Sequence, residues 1–120
     1  MTSKRLEVLL KMTASAQADS FTWYALALEY KGLGRVDDAV STFTALRRKD
    51  ATYVPMYLMC GTMLTESGRA AEAQEWLSAG VSAATKRARL RAERRYEWLR
   101  EIVAFLDQYV RFTDVKFPAR

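Results

Sequence analysis

The chain repeats itself at an interval of 34 residues. At that single offset Trp23 falls over Tyr57, Ala27 over Gly61, Tyr30 over Leu64 and Gly34 over Gly68. Arg35 over Arg69, Ala39 over Ala73 and Phe43 over Leu77 continue the series. Self-similarity at such a period marks a repeat architecture, whose unit cannot bury its apolar face alone and must stack on a neighbour. The unit reads as helical. Trp23, Leu26, Ala27 and Tyr30 have i, i+3, i+4, i+7 spacing, which makes one apolar helix face. Gly34 and Gly68 stand where that pattern stops and a short turn needs positive φ. Small Ala27 and Gly61 let a paired helix approach closely. Asp19-Ser20 and Asp50-Ala51-Thr52 offer helix-capping side chains. Asp37 and Asp38 begin the next helix, where its dipole favours negative charge.

These residues and their period resemble the tetratricopeptide repeat (TPR). Trp23, Leu26, Ala27 and Tyr30 match that family's first helix, and Ala39 and Phe43 its second. In the second unit Tyr57, Cys60, Gly61, Leu64, Ala73 and Leu77 take those places. Ala51 stands where the family's closing Pro is usual, although Pro55 starts the next helix. The resemblance covers about residues 20–86. It implies an all-α fold of TPR-like antiparallel helix hairpins, stacked as a short right-handed superhelix with N-terminal and C-terminal covering helices. One domain is expected over 1–120, with repeats at 20–53 and 54–86.

The flanks complete the expected stack. Residues 3–16 form a covering helix with Leu6, Leu9, Leu10 and Thr13 on one side. At the other end Ala84, Ala88, Ala92, Tyr96, Leu99, Val103, Leu106 and Val110 trace an apolar stripe. This predicts a basic capping helix over 87–110, followed by a tail over 111–120. Either a kink near Thr85–Arg87 separates that helix from the second repeat, or one helix runs on from about residue 70. Small bacterial TPR proteins share this layout. A Gly-Asp break often precedes their cap, where this chain has Lys86-Arg87-Ala88-Arg89.

Composition narrows the function. Half of the 120 residues are hydrophobic and 28% are charged, which suits a folded chain rather than a disordered one. No apolar run approaches the roughly 20 residues of a membrane span. Met1-Thr2-Ser3-Lys4-Arg5-Leu6-Glu7 does not read as a signal peptide. The single cysteine, Cys60, has no internal partner and fits a reducing cytoplasm. It lies on the packing face of its helix and reads as a small core hydrophobe. Met56, Met59 and Met63 serve either as core filler or as a pliable binding surface. The chain has no histidine, which removes imidazole metal ligation and histidine acid-base chemistry. Gly32-Leu33-Gly34-Arg35 lacks the Lys-Ser/Thr of a phosphate loop and follows a helix, not a strand. No catalytic constellation is present, so the chain is not expected to be an enzyme, and no cofactor or metal is expected.

The expected function is therefore binding. By the TPR resemblance, the first helix of each unit lines a concave groove. Here that side carries Phe21, Tyr24, Leu28 and Lys31, then Leu58, Thr62, Thr65 and Glu66. Some TPR domains clamp a C-terminal carboxylate there with Lys and Asn. The matching places hold Tyr24, Leu28 and Met59, and the chain has no Asn, so that clamp is not carried over. An apolar groove with aromatic anchors points to a helix or an extended apolar peptide of a protein partner. The competing reading covers Phe21, Tyr24 and Leu28 with the chain's own terminus.

Charge adds a second surface. Residues 1–85 hold nine basic and nine acidic side chains, whereas 86–120 hold ten and five, which accounts for the whole net charge of +5. Lys86, Arg87, Arg89, Arg91, Arg94 and Arg95 form the basic stretch. Glu93 interrupts it, and Glu97, Arg100 and Glu101 follow it, in the manner of a solvated helix face, so an acidic protein partner is expected before a nucleic acid or a membrane. The leading expectation is an adaptor or scaffold. The alternative is a self-assembling structural protein, a homodimer through 87–110.

Overall fold

A computed structural model describes residues 3–113. It contains five helices: α1 Lys4–Thr13, α2 Ser20–Gly32, α3 Val36–Lys49, α4 Val54–Glu66 and α5 Ala70–Thr113. The 34-residue interval is visible in the elements, since α2 and α4 begin at 20 and 54, and α3 and α5 at 36 and 70. By their contacts the residues group into two compact units, Met1–Thr85 and Lys86–Arg120.

The two inter-helix turns are near copies. Gly34 has φ 75° and Gly68 φ 78°, the left-handed region that glycine enters without a Cβ penalty. The Arg35 amide donates to the Tyr30 carbonyl and the Arg69 amide to the Leu64 carbonyl, both at 2.9 Å. These bonds satisfy carbonyls that the ends of α2 and α4 would otherwise leave open. Each following helix then begins with an arginine bound to a carboxylate three residues on. Arg35 Nε lies 2.8 Å from Asp38, and Arg69 holds Glu72 in the same way.

Packing follows the same plan within the first unit. Helix α1 lies on α2, α2 on α3 and α3 on α4. Ala27, Ala39, Phe43, Leu46, Met56, Tyr57, Cys60, Met63, Leu64, Ala73 and Trp76 form one buried core. Gly61 brings α4 against α5: a Cβ there would stand 2.5 Å from Leu77 Cδ2. Gly80 makes the reciprocal approach from α5, where a Cβ would meet the Tyr57 Cβ at 2.6 Å. Phe43 and Tyr57 both set their rings against Trp76, at 6.4 and 5.8 Å between centroids.

Several local expectations are corrected. Helix α1 stops at Thr13 rather than 16, and its cap is Ser3, whose side chain accepts from the Leu6 amide. Leu6 is fully buried, but Leu10 is 43% exposed and stands off the packed face. Asp19 caps α2 as expected, accepting from the Thr22 amide and hydroxyl, and these bonds hold its carboxyl below the usual carboxylate range. Asp50 and Thr52 do not cap α4. No side-chain hydrogen bond caps that helix, and Pro55 sits in its first turn, where a missing N–H costs nothing. Asp50 instead accepts from Thr52 Oγ1 at 2.7 Å and from Ser20 Oγ at 2.7 Å, tying the turn after α3 to the start of α2.

The choice left open at residues 85–87 resolves to a single helix, α5, of 44 residues. No Gly or Pro stands between Gly80 and Pro118, and the Ala, Arg, Glu and Leu there are good helix formers. The apolar stripe within the second unit is exposed wherever its side chains are described: Tyr96 by 51%, Val103 by 63% and Leu106 by 51%. Helix α5 runs on through Thr113, so the tail expected over 111–120 begins as helix, while the rest of it from residue 114, and the side chains of Leu99 and Val110 of that stripe, lie outside what is described.

Candidate functional site

Helices α2 and α4 carry the eight residues expected to line a groove, and the structure sorts them into four kinds. Phe21 and Leu58 are open to solvent, 67% and 61% exposed. Tyr24 and Leu28 are half-buried and rest on the core. The Tyr24 ring lies 5.3 Å from Tyr53 and 6.4 Å from Phe43, so it roofs the core as much as it offers a surface. Burial first, and the neighbouring Tyr53 second, raise its phenol above the ordinary value. The hydroxyl is therefore a neutral donor at physiological pH. Thr62 and Thr65 donate to the carbonyls of Leu58 and Gly61, at 2.7 and 2.9 Å. Those hydroxyls are already satisfied within α4 and keep only acceptor capacity for a ligand.

The remaining two, Lys31 and Glu66, converge with Leu28 on one cleft of about 480 Å³. Its other walls are Gly32, Val36, Met63 and Ser67. A cation and a carboxylate face an apolar floor there. That arrangement can orient a zwitterionic or mixed-charge segment while a side chain fills the floor. Val36, Met63 and Ser67 were missed as site residues. Met63 is 3% exposed and Met56 fully buried, so these two methionines serve the core, while Met59 is partly buried against it. The available signal was positional: Gly32 and Ser67 sit at the two equivalent turns, where α2 and α4 end side by side.

Other polar groups hold the frame. Arg47 donates to both oxygens of Glu75 at 2.9 Å, and its guanidinium lies over the rings of Trp76 and Tyr57 at 4.8 and 5.3 Å. Arg69 bridges to Asp37 at 2.8 Å, so Asp37 links the start of α3 to the turn before α5. Cys60 is fully buried, and desolvation pushes its thiol up to about 12. It behaves as core, and its nucleophilic form is suppressed. Among the described residues no cluster of three or more His, Cys, Asp or Glu is placed to hold a metal ion.

The basic stretch lies on α5. Lys86, Arg87, Arg89, Arg91, Arg94 and Arg95 are all exposed. Arg94 and Arg100 share a surface hollow with Leu90, Glu93 and Glu97, so the positive field is diluted at that end. Among the described residues no helix is long and apolar enough to cross a membrane.

Comparison with known proteins adds no relative: no family model, no characterised protein and no solved structure matches the chain.

Proposed function

We propose that the chain is a TPR-type interaction module that binds a peptide or helix of a protein partner across α2 and α4, and that it acts without catalysis. The observation that carries this reading is the exposure of Phe21 and Leu58, two large apolar side chains on the equivalent first helices of the two repeats. Both helices also send Leu28, Lys31 and Glu66 to one cleft. The repeated turns, the equal helix offsets and the close approaches at Gly61 and Gly80 support the TPR assignment on which the groove rests. Exposed aromatic and aliphatic anchors, with a charged pair further along the same two helices, suit an apolar peptide with one basic and one acidic position.

Selection of displayed peptides on the purified chain tests this. Because Phe21 and Leu58 are exposed, Phe21→Ser with Leu58→Ser leaves the core intact, unlike changes at Tyr24. The expected result is enrichment of apolar peptides that bind the wild type and lose about tenfold or more in affinity on the double variant, since an anchor in a desolvated centre commonly contributes about 2 kcal/mol. Enriched peptides that bind both proteins equally, or no enrichment at all, would overturn the groove.

A further inference from the structure

The second unit carries a helix face that is basic at one end and apolar at the other. Within α5, Arg87, Arg91 and Arg95 recur at i, i+4 and i+8, and Trp98, Ile102 and Phe105 at i, i+4 and i+7. At 3.6 residues per turn these six fall within an arc of roughly 80°. The acidic side chains Glu93, Glu97, Glu101 and Asp107 all lie about 80° or more from the middle of that arc.

Both ends of the face are available to a partner. The six side chains are exposed, Trp98 by 53%, Ile102 by 44% and Phe105 by 67%. Arg87, Arg91 and Arg95 make no ion pair among the described residues. Arginine and aromatic side chains, without Lys, Glu or Asp among them, are the composition of the buried centre of a protein–protein interface. Trp and Arg are also the residues that most often anchor one. The face spans about 27 Å along the axis at 1.5 Å per residue, so a partner helix of about five turns would cover it.

Charge selects the occupant. Residues 86–95 hold six basic side chains and one acidic, whereas 96–107 hold one basic and three acidic. A nucleic acid carries phosphate along its whole length, so a base stacked on Trp98 or Phe105 would bring phosphate to the acidic end. An anionic membrane presents its charge just as evenly. An interfacial helix also keeps its cations off its apolar face, whereas Arg87, Arg91 and Arg95 stand in line with Trp98, Ile102 and Phe105. A peptide can end its negative charge where the arginines end and continue with apolar side chains.

We propose that this face of α5 binds a helical peptide of a partner protein, its acidic half against Arg87, Arg91 and Arg95 and its apolar half against Trp98, Ile102 and Phe105. Fluorescence anisotropy on the full chain, with a labelled helical peptide of about five turns, tests this. One face of that peptide carries glutamates in one half and leucines in the other. A control peptide of the same composition alternates them along the face. The zoned peptide is expected to bind about tenfold or more tightly than the control. Arg91→Glu with Arg95→Glu, and separately Trp98→Ala, weaken it by about tenfold or more, while circular dichroism checks that each variant keeps its helix. Phe21→Ser with Leu58→Ser leaves its affinity unchanged, which separates this face from the groove over α2 and α4. Equal affinity for the two peptides overturns the proposal, as does failure of the zoned peptide to bind. Loss of binding on the Phe21 and Leu58 variant assigns the peptide to the groove and overturns the face. Tighter binding to oligothymidylate or to phosphatidylserine vesicles, lost in the same arginine variant, overturns the choice of occupant.

Discussion

Gly61 and Gly80 allow the same close approach from opposite helices, yet their substitution is expected to differ. An added Cβ at Gly80 meets the Tyr57 Cβ at 2.6 Å, its Cγ at 3.3 Å and its Cα at 3.9 Å, all near the backbone and unable to yield. Overpacking of about 1–3 kcal/mol then exceeds the roughly 1 kcal/mol that alanine returns in helix propensity. Gly80→Ala is expected to destabilise by up to about 2 kcal/mol by the same balance. At Gly61 the clash is with the Cδ2 and Cγ of Leu77, a side chain 37% exposed and free to turn. Gly61→Ala is expected within about 1 kcal/mol of the wild type. Urea midpoints of the two variants check the order, and a costlier Gly61→Ala would show that Leu77 is pinned. Ala39 and Ala73, 0% and 2% exposed, have no such outlet, so Leu at either is expected to lower stability by about 1–3 kcal/mol in the same assay. The offset of 34 residues identified Gly61, Ala39 and Ala73 as close-packing positions, because small residues in register are visible in one dimension. Gly80 has no glycine partner at that offset, and its role emerged only when Tyr57 was seen across from it.

Helix pairing places the Arg47–Glu75 bridge between α3 and α5, and the bridge has a pH signature. The hydrogen bonds from Arg47 hold the Glu75 carboxyl below its ordinary value of 4.5. A carboxyl depressed on folding stabilises the native state above its unfolded value, and that contribution is lost as pH falls through the folded value, below 4.5. Glu75 is 57% exposed in its side chain, so solvent screening limits the pair to about 0.2–1 kcal/mol. Glu75→Gln is expected to cost that amount near neutral pH and nothing once both states are protonated, as denaturant midpoints at the two pH values would show. A cost that persists in acid would assign the effect to packing of Arg47 on Trp76 and Tyr57. Helix starts were partly legible: Ser20 and Pro55 mark them locally. Asp50 was misassigned because a carboxylate between two helices can bond forward or backward, and only the position of Ser20 beside it decides.

At the level of the molecule, every buried hydrophobic side chain among the described residues lies between Leu6 and Trp76. A chain ending at Thr85 is therefore expected to unfold cooperatively within about 1 kcal/mol of the whole chain, since exposed residues away from the core seldom contribute more. Thermal and urea unfolding of the two proteins measure this. An unfolded or aggregating remnant would show that residues from 86 onward cover the repeats. If the remnant is also a folded monomer while the whole chain is a dimer, association is carried by the second unit.

Local periodicity alone determined the helical class, the repeat length, both glycine turns and the identity of most core residues, because each depends on contacts within about one turn or on a match between equivalent positions. The eight candidate residues lie on α2 and α4, the helices on which the TPR resemblance set them. Their inequality was decided by tertiary structure. Tyr24 became a roof for Phe43 and Tyr53, Phe21 and Leu58 stayed open, and Lys31 and Glu66 met at a cleft whose floor includes Met63. Exposure depends on which neighbour stands across the gap, and the pattern of one helix does not carry that. The same holds for the stripe at Tyr96, Val103 and Leu106: its sequence states that it is apolar, while its 51–63% exposure is a property of the folded chain.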